Sequence, residues 1–283
     1  MVTRLVKSIK EKKEFSALPD AFVKEKTVAY LVEHKQRAER LEHNQYNEKS
    51  KEYKTAVKEM RASLREIHGV FQKATDRKRK KLLAQYWAAK GRGEKRKALD
   101  KLLQSHQSTN ERRNHYASLY KELFTNEEPQ HILDLGCGLN PLAYDWLPNR
   151  PAYTCCDISR EETALINAFF AKKHVDGKAS TCNLLRPETR KRLVTSPADT
   201  VLLFKMVDTL EAQERNSSKA LITGMLQNKN IKRIIISFAT KSIGGRTFRT
   251  GNQDNWFTEF LRQQRLGWHV TTTSNEEFYD VKQ

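Results

Sequence analysis

The chain has 283 residues, with 52 Lys and Arg against 34 Asp and Glu, a formal net charge of +18. That length suits one or two domains with a substantial core, and the charge suits either a polyanionic partner or a lysine-rich solvated surface. No apolar run approaches the ~18 residues of a membrane span, and the start Met1-Val-Thr-Arg-Leu-Val lacks the apolar core of a signal peptide. The four cysteines (Cys137, Cys155, Cys156, Cys182) have no CxxC spacing and no histidine cluster, so buried free thiols are expected rather than disulfides or a metal site. A soluble, cytoplasmic protein is the expectation.

Charge and punctuation divide the chain. Residues 1–100 hold 27 Lys and Arg against 14 Asp and Glu, with one proline and three glycines. The remainder holds 25 against 20, with six prolines and eight glycines. This predicts an all-helical basic module over residues 1–104 followed by an α/β domain over residues 105–283.

Residues 1–18 are mixed and predict loose order. Pro19-Asp20 reads as a helix start with Asp20 as N-cap, and Ala21, Val23, Val28, Leu31 and Leu41 give a rough helical stripe. Helix resumes near Tyr53, where Ala56, Val57, Met60, Leu64, Ile67 and Val70 approximate i, i+3, i+4 spacing. Asp76-Arg-Lys-Arg-Lys-Lys81 then carries five consecutive cations beside Leu82, Leu83, Tyr86 and Trp87. Cations next to aromatics suit phosphate contact; the plainer reading makes the aromatics core and the cations a solvated face. Gly91-Arg-Gly93 breaks this helix. Ser108-Thr-Asn-Glu111 has the S-x-x-E form of a capping box and predicts a helix from there to about Phe124.

The stretch His131-Ile-Leu-Asp-Leu-Gly-Cys-Gly-Leu-Asn-Pro-Leu142 organises the second half. It reads as a buried strand running into a glycine turn, Gly136-Cys-Gly138, with Asn140-Pro141 opening a helix. A second strand, Tyr153-Thr-Cys-Cys156, ends in Asp157, 19 residues after Gly138. A carboxylate at that strand tip is placed to accept hydrogen bonds from both hydroxyls of a ribose. The third glycine of a dinucleotide turn is replaced by Pro141, so an adenosine ligand without phosphate fits better, S-adenosylmethionine first among them. Ser159-Arg-Glu-Glu162 forms a second capping box, Lys178 to Cys182 a weak third strand ending in Asn183, and Thr200 to Phe204 a continuous apolar fourth. Ile231 to Phe238 makes the next strand. Thr240 to Arg246 is read as a loop over the site, and Trp268 to Val281 as an antiparallel hairpin. Trp256 and Phe257 either pack beneath that loop or form the core of the next helix.

Asp134-Leu-Gly-Cys-Gly138 followed by Asp157 resembles motif I and the acid after it in class I methyltransferases. The longer string Leu133 to Leu142 resembles the 16S ribosomal RNA (guanine-N7) methyltransferases of the aminoglycoside-resistance type. Leu64 to Phe71, His106 to Arg112, Leu203 to Glu211 and Ser237 to Arg246 agree with that family. The resemblance implies a Rossmann-like, mostly parallel sheet with a reversed last strand, preceded by an all-α basic domain. It implies S-adenosyl-L-methionine held by Arg112, Asp134, Gly136, Cys137, Gly138, Asn140, Asp157, Ile158, Asn183 and Leu184, with Arg112 reaching the cofactor carboxylate. Lys205 and Arg246 would position the target nucleotide. Arg77, Lys78, Arg79, Lys80, Lys81 and Lys241 would bind RNA. The implied partner of the monomer is 16S rRNA of the 30S subunit in its decoding region, with aminoglycoside resistance as the consequence.

Departures fall mainly in the RNA half. Asn183 stands where the family commonly has Asp, and its carbonyl is expected to accept from the adenine amino group. Asp208, Ala212 and Ala239 replace a proline, an arginine and a proline. The sequence shows no acid/base pair and no N/D-P-P-Y/F stretch. Both suit attack by guanine N7, which carries no proton, rather than by an exocyclic amine. An intrinsic enzyme with another RNA target, or a non-catalytic RNA-binding protein on this fold, is the alternative.

Overall fold

The apolar runs of the second half form strands because each is five to seven residues long and fenced by turn residues. β1 (His131–Leu135), β2 (Ala152–Asp157), β3 (Gly177–Thr181), β4 (Thr200–Phe204) and β5 (Arg233–Ala239) pair in parallel. β6 (Gly267–Thr272) and β7 (Glu276–Lys282) form the closing hairpin, in which β7 runs antiparallel to both β5 and β6. The sheet order is β3-β2-β1-β4-β5-β7-β6. The reversed strand therefore slots in beside β5, and β6 takes the edge. The chain steps outward from β1 to β3 and then returns to place β4 on the other side of β1. That reversal opens a crevice at the carboxyl ends of β1 and β4. The structure, a computed structural model, describes residues 2–67, 74–240 and 253–283.

The helices α1 (Val2–Lys10), α2 (Asp20–Glu33), α3 (Lys35–His43) and α4 (Lys51–Ile67) enclose their own apolar cluster, built on Leu5, Ile9, Leu18, Phe22, Leu41, Tyr53, Met60 and Leu64. The expectation of loose order over residues 1–18 is corrected here. Leu5 and Ile9 are both 0% exposed, and Ser8 Oγ hydrogen-bonds Tyr53 Oη at 2.9 Å. An apolar stripe of two turns is too short to stand out from its polar neighbours in sequence.

α5 (Asp76–Ala88) and α6 (Arg92–Leu103) pack differently from the first four helices. Leu82, Leu83, Tyr86, Leu99, Leu102 and Leu103 belong to the same cluster as Ile132, Tyr153 and Phe169 of the α/β layers. Tyr86 is buried and Trp87 packs on that cluster, so both are core, as the plainer reading had it. The chain continues through α7 (Gln107–Arg112), α8 (Tyr116–Phe124), α9 (Arg160–Lys173), α10 (Pro187–Val194), α11 (Val207–Gln213), α12 (Ser217–Leu226) and α13 (Gln253–Gln263). Phe257 on α13 is fully buried, its ring 5.1 Å from that of Phe238.

Three capping expectations change. Asp20 is the first residue of α2 rather than its cap, and Pro19 stands at the N-cap position. The helix predicted over 108–124 is broken before Tyr116, and no side chain caps α7. The Thr109 hydroxyl instead donates to Leu103 O at 2.6 Å, and Glu111 turns to Lys205. At α9 the box is half formed: Ser159 Oγ accepts from Glu162 N at 3.3 Å, while the Glu162 carboxylate faces Arg79. Asn140-Pro141 opens a 3₁₀ helix, Asn140–Trp146.

Because Leu5 sits in a closed apolar cluster, Leu5→Ala is expected to cost about 2–4 kcal/mol. Urea unfolding of the full chain checks this. A change below ~0.5 kcal/mol, the value for an unpacked surface position, would mean α1 is not part of the core.

Candidate active site

β1 ends in a turn whose geometry requires glycine twice. Gly136 has φ 66° and Gly138 φ 50°, the left-handed region. A Cβ on Gly136 would lie 2.2 Å from Met206 Sδ, and one on Gly138 2.6 Å from His106 Cε1. The turn is thus roofed by two side chains rather than bare. Its amides converge on the tip of β2. Gly136 N and Cys137 N donate to Cys156 O at 2.9 and 3.1 Å, and Gly138 N donates to Asp157 Oδ2 at 2.9 Å. Asp157 Oδ1 accepts from Ser159 N at 2.9 Å, where α9 begins.

A cleft of about 730 Å³, including its open mouth, lies in the crevice. Of the residues singled out in sequence, Gly136, Asp157, Ile158, Asn183, Leu184 and Lys205 line it. Others were not anticipated: Phe22, His106, Ser108, Glu162, Cys182, Phe204, Thr209 and Gln213 among them. Asn183 Nδ2 and Gln213 Oε1, buried atoms of two wall residues, have no partner among the described residues. Asn183 Oδ1 accepts from Leu185 N at 3.0 Å, so the unpartnered end of the side chain is its donor, where the sequence pointed to its carbonyl. Gln213 Nε2 donates to Thr209 O at 3.1 Å, which leaves its buried carbonyl oxygen as the unpartnered atom. A buried unpaired polar atom costs about 1–3 kcal/mol, so the pair favours a ligand with a matching acceptor and donor. Apolar Ile158, Leu184 and Phe204 suit a flat base, and Asp157 suits its ribose. The residues fit an adenosine.

Five predicted cofactor residues, Arg112, Asp134, Cys137, Gly138 and Asn140, do not line the cleft. Asp134 is 1% exposed and accepts from Asn140 Nδ2 and Tyr153 Oη, both at 2.8 Å. Burial pushes its carboxyl up to about 6, against the pull of those two hydrogen bonds. Asn140 Oδ1 in turn accepts from Arg112 Nη1 at 3.1 Å and Tyr116 Oη at 2.9 Å. Arg112 was expected to reach the cofactor carboxylate. Its side chain is 3% exposed and its Nε meets Glu276 at 2.8 Å, because a desolvated guanidinium requires an internal anion. Cys137 contributes backbone only, and burial raises its thiol pKa. Lys205, at φ 57°, projects from the tip of β4. Its ammonium pairs with Glu111 and lies 3.7 Å from Glu276.

Residues 21–280 match the family described as ribosomal RNA methyltransferase (FmrO). The chain belongs to that family. The 16S rRNA (guanine(1405)-N(7))-methyltransferase of Micromonospora echinospora is 33% identical over 216 residues, covering 74% of this chain and 75% of that protein. Among solved structures, the 16S rRNA methylase RmtB superposes with a TM-score of 0.73 at 25% identity, covering 100% of this chain and 98% of RmtB. The 16S rRNA methylase ArmA gives 0.55 at 29% identity, over 72% and 97% of the two chains.

For a ribosomal RNA methyltransferase the basic surface matters as much as the cleft. Arg77, Lys78, Lys80 and Lys81 of α5 are exposed. Arg79 is not, and its assignment to RNA is corrected. It is 2% exposed, with Nη1 3.1 Å from Glu162 Oε1 and Nη2 2.8 Å from Ser105 O. Its position was legible: 79, 82, 83 and 86 form one helical stripe, which leaves 77, 78, 80 and 81 outside. Lys78 and Lys81 share a recess with Lys101 of α6. A second recess, not anticipated, gathers Lys90, Arg92, Lys95, Arg96 and Lys172 around Trp87 and Trp146. Arg96 stands 4.3 Å over the Trp146 ring. Lys241 and Arg246 lie outside the described residues. No helix among the described residues is long and apolar enough to cross a membrane.

Arg79→Ala strands a buried carboxylate and is expected to cost about 3–5 kcal/mol. Neutralising Arg77, Lys78, Lys80 and Lys81 together should leave stability nearly unchanged; chemical denaturation separates the two. Asp134 gives a second test. A carboxyl whose folded pKa lies above its unfolded one stabilises the fold only below the unfolded pKa, near 4, and loses that contribution as pH rises through about 6. Wild type is therefore expected to lose on the order of 2–3 kcal/mol relative to Asp134→Asn between pH 4 and 6.5. A pH-independent difference would remove the assignment.

Proposed function

We propose that this chain transfers the methyl group of S-adenosyl-L-methionine to N7 of a guanine in 16S ribosomal RNA, guanine 1405 by likeness to its relatives. The observation that carries the reading is Asp157, fixed by two backbone amides in an open cleft whose wall holds two side-chain amides, each with one atom unpartnered among the described residues. A non-catalytic scaffold would have that hollow filled by side chains. The family membership supplies the reaction type.

The bound cofactor supplies a methyl on a positively charged sulfur. Asp157 receives the ribose hydroxyls, and Ile158 and Leu184 enclose the base. Asn183 Nδ2 donates to a ring nitrogen of adenine, a contact that the ionised Asp common in the family could not make. Gln213 Oε1 accepts from a donor on the amino-acid side. Guanine N7 holds an in-plane lone pair and no proton, so no general base is required. Orientation alone contributes ~7–11 kcal/mol in such a transfer. Extracting the guanine from its stack costs a few kcal/mol, offset by backbone contacts from the basic module, residues 1–104. Lys205 reaches a phosphate by exchanging Glu111 for it, and Arg246 joins it on the target nucleotide. The enzyme acts as a cytoplasmic monomer on the 30S subunit, and methylation there protects the host from aminoglycosides.

The test is incubation of 30S subunits with labelled cofactor, followed by borohydride and aniline cleavage at N7-methylguanine. Cleavage at one decoding-region guanine is expected. Asp157→Ala should weaken calorimetric binding of S-adenosylhomocysteine by roughly 100-fold or more, on the scale of a lost pair of charged hydrogen bonds. Neutralising the four exposed α5 cations should lower the slope of log affinity against log salt by about 3 for 30S and leave cofactor affinity unchanged. Methylation of another class of substrate, with 30S untouched, would refute the assignment.

A further inference from the structure

One wall residue of the cleft comes from the opposite end of the chain. Phe22, in the first turn of α2, lines the cleft together with Ile158, Asn183 and Leu184. It is 3% exposed and belongs to the apolar cluster of α1 to α4, on which Ile158 also packs. The segment carrying it is fastened to the two loops that build this side of the cleft. Arg160 N donates to Ala17 O at 3.1 Å, and Ser16 Oγ donates to Glu161 at 3.3 Å. Arg186 pairs with Glu25, also at 3.3 Å. Arg160 and Arg186 each lie three residues after a cleft residue, Asp157 and Asn183.

We propose that Phe22 is a cofactor-binding residue: its ring packs against the adenine, and the N-terminal helical bundle thereby closes the adenosine half of the cleft. This rests on the function proposed above and adds to it a residue and a coupling. The two sides of the cleft differ in chemistry. Toward β4 the wall carries Lys205, Thr209 and Gln213, suited to a charged amino-acid end. Toward β3 it carries Ile158, Leu184 and Phe22 around the single donor Asn183 Nδ2. An apolar slot with one donor matches a flat heteroaromatic base with ring-nitrogen acceptors. Cofactor occupancy and docking of the bundle then stabilise each other by equal amounts, as linkage requires.

A Phe22 that served only the bundle core would change stability and leave ligand affinity alone. The test uses the full chain. S-adenosylhomocysteine is titrated calorimetrically into wild type, Phe22→Leu and Phe22→Ala, and amide exchange over residues 16–25 is followed with and without it. Phe22→Leu, which keeps apolar volume, is expected to weaken binding about 5- to 10-fold, and Phe22→Ala about 10- to 50-fold. Saturating ligand should slow exchange over 16–25 in wild type by about tenfold or more. If Phe22→Ala does not fold, Phe22→Leu and the wild-type exchange decide. Affinities within about twofold of wild type, or exchange over 16–25 indifferent to ligand, overturn this inference alone. A wild type that binds no S-adenosylhomocysteine overturns the proposed function with it.

Discussion

The carboxylate of Asp157 is the constraint on which the site depends. It accepts one amide from the glycine turn and one from the start of α9, and so fixes strand, turn and helix relative to one another. The turn's three successive amides are all committed, two to Cys156 O and one to Asp157. Such a row of N–H groups would otherwise make an anion-binding nest. Here the protein's own carbonyl and carboxylate fill it. That is the physical reason the turn has no place for a pyrophosphate, a conclusion the missing third glycine pointed to without explaining. What remains for a ligand is the space beside Asp157, lined by apolar side chains and two amides.

Behind that space, buried charge positions the surrounding elements. Three arginines with almost no exposure each meet a carboxylate far away in sequence: Arg79 with Glu162, Arg112 with Glu276, Arg233 with Asp280. Desolvation offsets most of the Coulomb gain in such pairs, so they add little net stability. Their effect is geometric. Arg112 and Lys205 share Glu276, which joins α7, the tip of β4 and the start of β7 around one carboxylate. Removing one partner would leave an uncompensated charge, and the arrangement therefore has few alternatives of comparable energy.

The sheet was legible because each strand is a short apolar run bounded by turn residues, and because parallel strands covered on both faces need no alternation. The glycine turn and Asp157 were legible because φ and close approach leave no other residue type at 136 and 138. Individual contacts were harder to read. Arg112, Asp134 and Asn140 belong to the site's construction, but which of them faces the ligand depends on side-chain direction and on Glu276, 164 positions from Arg112. Asn183 was read through its carbonyl, and only the Leu185 amide reveals that the donor is the free end. Phe22 carries no local signal, since its role arises from docking α2 against loops some 140 residues away. The misread capping box at Ser108 shows the same limit: Glu111 has a stronger partner in Lys205 than the backbone offers.

The position of Arg79 bears on how an enzyme of this kind reaches a chosen base. Outside α5, Lys78 and Lys81 face solvent; on the inner side of the same helix, Arg79 holds Glu162, whose residue lines the cleft and sits beside His106, the roof of Gly138. Only one helix diameter, about 10 Å, separates this cationic surface from the wall of the cleft. α5 and α6 also rest on the same apolar cluster as β1 and β2. The spacing between backbone contact and methyl donor is therefore set by packed side chains rather than by a linker. On the function proposed above, a phosphate held on α5 would fix the register of the RNA over the cleft, and binding energy gained from the backbone would appear as orientation at the guanine.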